Sequence, residues 1–382
     1  SFYAQLRRVQ GAAGAGVNVA EFSVLCQLAK LAEADVSALV VPALSTESVD
    51  DIEMLNMSAS EQQWQQNFEE KGASKAQPDS PCKPPDSRLI CHEKYSKWKQ
   101  VKTALRTAEK AQTTKFEHEL PTGIQATAAG RRCQKQLHEL AAAAAVDAVN
   151  DYESTYGATI QNIRAKLEHE LKQALNGEQS PPSAGQAYTA TITTDGGRTS
   201  DCADTSAGES LKKDLLCLCV PDDTQTKKTC GDAGTPAPGA NWAASATDTN
   251  AKQLLTKCDN YAKPVLSANS IDRALAGFRH ALQSHKQGSR DAIVLGKPAA
   301  AGTCGAAASE ACIDYTSVLQ PKASGEDNDI KWYKHMVAAR ALLKALDAAK
   351  VAASATDQRL KDLKKDDQAN LRNPKGKRTS TN

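Results

Sequence analysis

At 382 residues, 40% apolar and only 4% aromatic, the chain has material for one large domain or two to three ordinary ones. Its alanine-rich core suits close helix packing better than a β-sandwich. Forty-seven basic residues nearly cancel 45 acidic ones. A net charge of +2 offers no field for nucleic acid or an anionic membrane surface, so neither is an expected partner.

The first predicted helix covers residues 19–41. Asn18 with Glu21 reads as a capping box and Pro42 as the stop. Phe22, Cys26, Ala29, Val36 and Val40 share its apolar face. Cys26 therefore points inward, as a buried thiol, a metal ligand or half of a disulfide. A Pro-rich loop follows at 78–86, and then "KWKQVKTALRTAEKA", a helix with Trp98, Val101, Leu105 and Ala108 on one face. From Leu137 a long stripe runs through Leu140, Ala144, Val149, Tyr152, Tyr156, Ile160, Ile163, Leu167, Leu171 and Ala174, interrupted only by Gly157. Its spacing is that of a coiled-coil seam. A single helix over 137–175 would measure about 58 Å, against about 55 Å for a compact globule of this length, so an elongated molecule is expected.

Residues 176–327 read differently. Tyr188–Thr194 alternates like one short strand, "DLLCLCV" and "AIVLG" are short apolar runs, and 250–262 and 270–286 read as shorter helices. Gly, Ala, Thr, Ser and Pro fill the rest. A second long helix opens at the Asp/Asn-rich cap "EDND" and carries Trp332, Met336, Ala339, Leu343, Leu346, Ala353, Leu360 and Leu363. Two such seams pair most simply as an antiparallel hairpin. The fold class is thus mainly α, an elongated antiparallel long-helix bundle with loop-rich, disulfide-rich lobes and little β. The expected organisation is one domain over 1–371, with 176–327 as an insertion between the long helices. The basic tail 372–382 reads as a flexible linker toward a further domain.

Eleven cysteines are present: Cys26, Cys82, Cys91, Cys133, Cys202, Cys217, Cys219, Cys230, Cys258, Cys304 and Cys312. None forms a C-x-x-C pair, which removes zinc-ribbon and thioredoxin-like spacings. Several bracket small-residue loops, as in "CKPPDSRLIC" and "CGAAASEAC", the pattern of an oxidising, extracellular setting. The chain opens at Ser1 without a charged-then-apolar leader, so any secretory signal is expected to have been removed. No run of about 18 apolar residues offers a membrane span. The histidines, in contexts such as "FEHEL" and "LEHEL", never complete H-E-x-x-H. No phosphate loop, dinucleotide fingerprint or G-x-S-x-G elbow occurs. No catalytic, cofactor-binding or metal residue is expected, and no enzyme. Asn56-Met57-Ser58 is the one sequon, and a candidate for N-glycosylation.

Four stretches, "AEFSVLCQLAKLAE", "DLLCLCV", "CGAAASEACIDY" and "IKWYKHMVAARALLKAL", occur in an order that resembles the N-terminal domain of a trypanosome variant surface glycoprotein, of the class often called B. The resemblance implies a non-catalytic coat antigen on the outer face of the plasma membrane. It further implies a homodimer or homotrimer, held by a GPI anchor on an absent C-terminal domain, that shields the cell and undergoes antigenic variation. Host antibodies would bind the loops of 176–327. A receptor for a host serum protein on the same scaffold is the alternative. Ser309 and Ser324 are candidates for an O-linked sugar. For the disulfides, Cys304 is expected to pair with Cys312 and Cys82 with Cys91, each closing a short loop. Cys217 and Cys219, read as strand residues, have Cys202, Cys230 and Cys258 as nearest candidates. Cys26 is expected to meet Cys133, tying the first helix to the long one.

Overall fold

The computed structural model describes residues 16–68, 89–111, 128–180, 186–190, 192, 197–220, 228–231, 242, 248–261, 263–287, 290–299, 303–304, 311–319 and 330–372. Its longer helices are α1 (Val19–Ala32), α2 (Glu47–Ala59), α3 (Tyr95–Ala111), α4 (Ala128–Tyr152), α5 (Ile163–Asn176), α6 (Leu211–Cys219), α7 (Asp248–Cys258), α8 (Ala268–Ala281) and α9 (Lys331–Arg372). Among the described residues there are three strands, β1 (Gln283–Gln287), β2 (Arg290–Gly296) and β3 (Cys312–Asp314). The fold is mainly α. It divides into two compact units, one of Ser1–Val40 with Asn162–Asp347, the other of Val41–Gln161 with Ala348–Asn382.

The first unit is built around α1. Phe22, Leu25, Cys26, Leu28, Ala29, Leu31 and Ala32 are all buried, so the helix is apolar on more than one side and takes neighbours accordingly. It packs against α5, α6, α7 and α8. The helix ends at Ala32, nine residues before the predicted end at 41. The reason is local: Asp35 Oδ1 accepts the Ser37 backbone N–H at 2.8 Å, an Asx-type turn that competes with helix continuation. Val40, placed on the buried stripe by its spacing, is 70% exposed. The sheet is antiparallel in the order β1-β2-β3, with Ser284 opposite Ile293 and Leu295 opposite Ile313. The helix predicted over 270–286 ends at Ala281 and gives way to β1. Of the strand predicted at 188–194, the described residues Tyr188, Thr189, Ala190 and Ile192 lie outside any strand.

"DLLCLCV" is helical, not extended. Ser210 caps α6 by accepting the Lys213 N–H at 3.1 Å, and every residue of α6 is buried. Ser267 caps α8 in the same way through Ser270 N.

In the second unit α2 packs against both α3 and α4. Ile52 of α2, Ala145 and Ala148 of α4 and Leu360 of α9 form one apolar cluster. His138 Nδ1 of α4 lies 2.7 Å from Asp367 Oδ1 of α9. The order 138 to 148 on α4 against 367 to 360 on α9 makes the pair antiparallel. A second core gathers Met57, Phe68 and Leu105, with Trp64, Trp98 and Val101 packed on it.

The stripe predicted from Leu137 onward is not one helix. A π-helical turn at Glu153–Gly157 and a short turn at Ala158–Ile160 follow α4, and the chain then breaks at Asn162, whose φ of 56° is left-handed. Asparagine tolerates that region better than most side chains. The buried face of α4 also differs from the predicted one. Gln134, His138, Ala145, Ala148 and Tyr152 are buried, whereas Leu140 is 68% exposed. The buried His138–Asp367 contact at 2.7 Å lies on that face, and small alanine side chains compete with it weakly because each buries little area.

Candidate functional site

Eight cysteines of the first unit form four bonds: Cys26–Cys258, Cys202–Cys217, Cys219–Cys230 and Cys304–Cys312. The first joins α1 to the last residue of α7 across a sequence separation of 232, with the two Cα atoms 5.0 Å apart. The next two separations are 15 and 11, and the last is 8. Because α6 is a helix, Cys217 and Cys219 leave it in different directions and reach different partners, which resolves why both cannot share one.

The expected bond between Cys26 and Cys133 does not form. Cys133 is a free, exposed thiol on α4 of the second unit, while Cys26 is fully buried beside Cys258. Helical periodicity gave the buried face of Cys26 correctly but carries no information about which sulfur faces it. Cys91 is disulfide-bonded, and its expected partner Cys82 lies outside the described residues, as do Ser309, Ser324 and the "EDND" cap.

Asn18 was read as a cap, and the structure gives it another task. It makes no side-chain capping bond. Its fully buried amide donates to Leu218 O at 2.9 Å and Ala311 O at 2.7 Å, and its Oδ1 accepts from Lys297 N at 2.9 Å. One side chain thus satisfies three backbone groups on three separate segments, beside both the Cys219 and Cys312 bonds. Gly296, at φ 99°, lets the chain pass here: a Cβ on it would sit 2.6 Å from Leu218 Cδ1 and 2.8 Å from Ala311 O.

A second polar knot lies under α9. Asp214 of α6 is completely buried. Its Oδ2 accepts from Tyr315 Oη and from Trp332 Nε1, each at 2.6 Å, and its Oδ1 accepts from Gly208 N at 3.1 Å. Burial pushes this carboxyl up to about 6 in spite of the three donors, and Tyr315 is held well above the ordinary phenol value by its own burial and by Asp214. The ring of Phe278 meets both Tyr315 and Trp332 edge-on, at 5.5 and 4.8 Å. Sequence reasoning missed Asp214; an acid inside the apolar run "DLLCLCV" was the available signal.

Neither knot has the parts of a catalytic centre. Among the described residues the Asp214 carboxyl is sealed by the aromatic donors Tyr315 and Trp332. Among the described residues no group of three His, Cys, Asp or Glu side chains could hold a metal ion, and no helix is long and apolar enough to cross a membrane. His335 meets Glu170 at 2.7 Å and His138 meets Asp367, so two histidines serve as interhelical pairs. What the arrangement does is fasten secondary elements to each other.

These covalent and polar fastenings sit on a chain whose family is identifiable. A model described as a trypanosomal VSG domain matches residues 3–362. The chain belongs to that family. Among curated proteins, variant surface glycoprotein ILTAT 1.21 of Trypanosoma brucei brucei is 28% identical to this VSG domain over 179 residues. The matched stretch is 47% of this chain and 37% of the relative, so the VSG domain here spans well under half the length of that protein. Asn56, the sequon residue of this VSG domain, lies on α2, half-buried. It lines a cleft of about 490 Å³ formed with α3 and α4.

Proposed function

We propose that this VSG domain is the exposed part of a non-catalytic coat antigen on the outer face of a trypanosome's plasma membrane. The observation that carries the reading is the family match over residues 3–362. The four disulfides suit it, because a loop-rich surface under repeated antibody pressure must vary while its frame stays closed. On this reading the protein shields the cell and is replaced by antigenically different versions, and its surface loops over 176–327 are where antibodies bind. It associates with itself as a homodimer or homotrimer and is held by a GPI anchor on a further domain.

The test uses live, unpermeabilised cells of a clone that expresses the protein. Antibodies raised against the folded chain should stain the whole surface, and a phosphatidylinositol-specific phospholipase should release the stained protein. Staining confined to an internal compartment would sink the proposal. Surface protein that captures a single host serum protein in stoichiometric amount would replace it with the receptor alternative.

A further inference from the structure

The exposed side of α4 carries a short apolar seam. Cys133, Leu137, Leu140 and Ala144 follow one another at steps of four, three and four, the a/d spacing of a two-stranded coiled coil. Leu137 and Leu140 are 37% and 68% exposed, Cys133 is exposed and Ala144 is half-buried. The residues beside the seam, Gln136, Ala141 and Ala143, are uncharged. Lys135 and Glu139 lie off it and pair with each other at 3.8 Å. The next two seam positions, Asp147 and Asp151, are exposed acids that end the apolar run. The sulfur is independent of this pattern. Cys133 is the one free cysteine among the described residues, and a chain with eleven cysteines cannot pair all of them within itself.

We propose that two copies of this chain meet in parallel along this seam and are joined by a disulfide between their Cys133 residues. In a parallel pair each seam residue faces its own counterpart, so the two sulfurs meet and Leu140 covers Leu140. An antiparallel pair centred on Cys133 would set Leu140 beyond the start of the second copy's α4, at Ala128, and leave it uncovered. Past Ala144 the parallel arrangement brings like charges together at Asp147, so the contact stops there. The packed length is about 16 Å, and at a helix width of about 10 Å the two copies together bury roughly 300 Å². A stable interface buries about 1,200 Å² or more. Packing on this seam sets the register, and the covalent bond holds the pair. The oxidant is a disulfide of the secretory route, protein or small molecule. One Cys133 thiolate attacks it and releases a thiol, and the second Cys133 thiolate attacks the mixed disulfide and releases the other. Two cysteine thiols are oxidised and the donor disulfide is reduced to two thiols. In an unlinked chain the same sulfur stays open to a maleimide. The inference rests on the extracellular, self-associating reading above and narrows it to a dimer, because a cysteine bonds only one other.

The experiment takes the whole chain secreted from a eukaryotic host and alkylated with N-ethylmaleimide before isolation, so that no bond forms afterwards. The variants are Cys133→Ser and Leu140→Glu; the second keeps the cysteine and changes an exposed seam position. On a non-reducing denaturing gel most of the parent should run at twice the chain mass, and reduction should return it to one. Peptide mapping should find Cys133 joined to Cys133. Cys133→Ser should lose the doubled band entirely and Leu140→Glu most of it, while both keep the circular dichroism of the parent. A parent that runs singly with Cys133 alkylated, or with Cys133 joined to any other cysteine, would overturn the bond. A doubled band undiminished in Leu140→Glu would mark chance oxidation of an exposed thiol and overturn the seam. Surface staining reads the coat proposal separately, so that proposal stands or falls on its own result.

Discussion

Removing the Cys26–Cys258 bond should cost the first unit more than removing any other disulfide described here. The perturbation is the double variant Cys26→Ala/Cys258→Ala, which leaves no new thiol to mispair with Cys133. The bond closes a separation of 232 residues, and the chain-entropy relation gives about 5 kcal/mol for such a loop. The bonds Cys202–Cys217 and Cys219–Cys230 lie inside it and shorten the free path by their separations of 15 and 11. Because the dependence is logarithmic, that correction leaves the figure at about 5 kcal/mol. The Cys304–Cys312 bond, with a separation of 8, is worth about 2.6 kcal/mol by the same relation. Urea unfolding followed by Trp242 and Trp332, in a background with Trp64→Phe and Trp98→Phe, reads the first unit alone. With a slope of about 2–3 kcal/mol per M, the midpoint should fall by about 2 M for the long loop and about 1 M for the short one. A long-loop variant that shifts the midpoint no more than the short-loop variant would refute the reasoning.

Asp214 sets a pH dependence. Its folded value of about 6 lies above the ordinary 3.8, so its contribution is fully present below about pH 4 and is lost as pH rises through about 6. Between about pH 5 and pH 7.5 the parent should lose stability relative to Asp214→Asn, on the order of 1 kcal/mol; urea midpoints that keep a constant offset across that range would contradict the assignment. Asn18→Ala removes three hydrogen bonds at once while Leu218 O keeps Thr229 Oγ1 and Lys297 N keeps Ala311 O, and should lower unfolding stability by about 2–3 kcal/mol, with a loss under about 1 kcal/mol counting against the bridging role. Gly296→Ala forces a Cβ into Leu218 and Ala311 at a positive φ and should destabilise by at least about 2 kcal/mol in the same assay; a variant as stable as the parent would show that the strand end relaxes freely. A maleimide should modify Cys133 on the native chain and leave Cys26 untouched until reduction, and the reverse labelling would overturn the pairing.

Much of the architecture is legible in the residues. On α9 the spacing of Trp332, Met336, Ala339, Leu343, Leu346, Ala353, Leu360 and Leu363 marks a buried face, and all but the half-buried Leu363 are buried. The pattern works there because large side chains recur at helical spacing from Trp332 to Leu346. On α3 it marks Leu105, which is buried, while Trp98 and Val101 of the same stripe are half-buried against that core. On α4 the predicted stripe of Leu140, Ala144, Val149 and Tyr152 holds at Tyr152 and fails at Leu140, while Ala145, Ala148 and His138 beside it are buried; the run of alanines between them offers nearly equivalent faces, each burying little area. Local side-chain hydrogen bonds account for other differences. Asp35 ends α1 early and Ser210 starts α6, and each acts through a single backbone N–H that apolar periodicity does not register. Asn18 shows a further limit: the same residue type at a helix start can cap its own helix or bind three distant segments, and only the packed structure decides. The partner of Cys26 belongs with that case, since proximity across 232 residues is a property of the fold.

The central claim, that this VSG domain belongs to a coat protein, is a claim about abundance as much as about fold. The direct measurement is quantitative mass spectrometry of surface-labelled protein from a clone that transcribes this sequence and from a clone that has switched away from it. The coat reading predicts that peptides of this chain dominate the labelled surface of the first clone and vanish from the second. A chain that stays a minor surface component in both clones, beside another dominant protein, would contradict it.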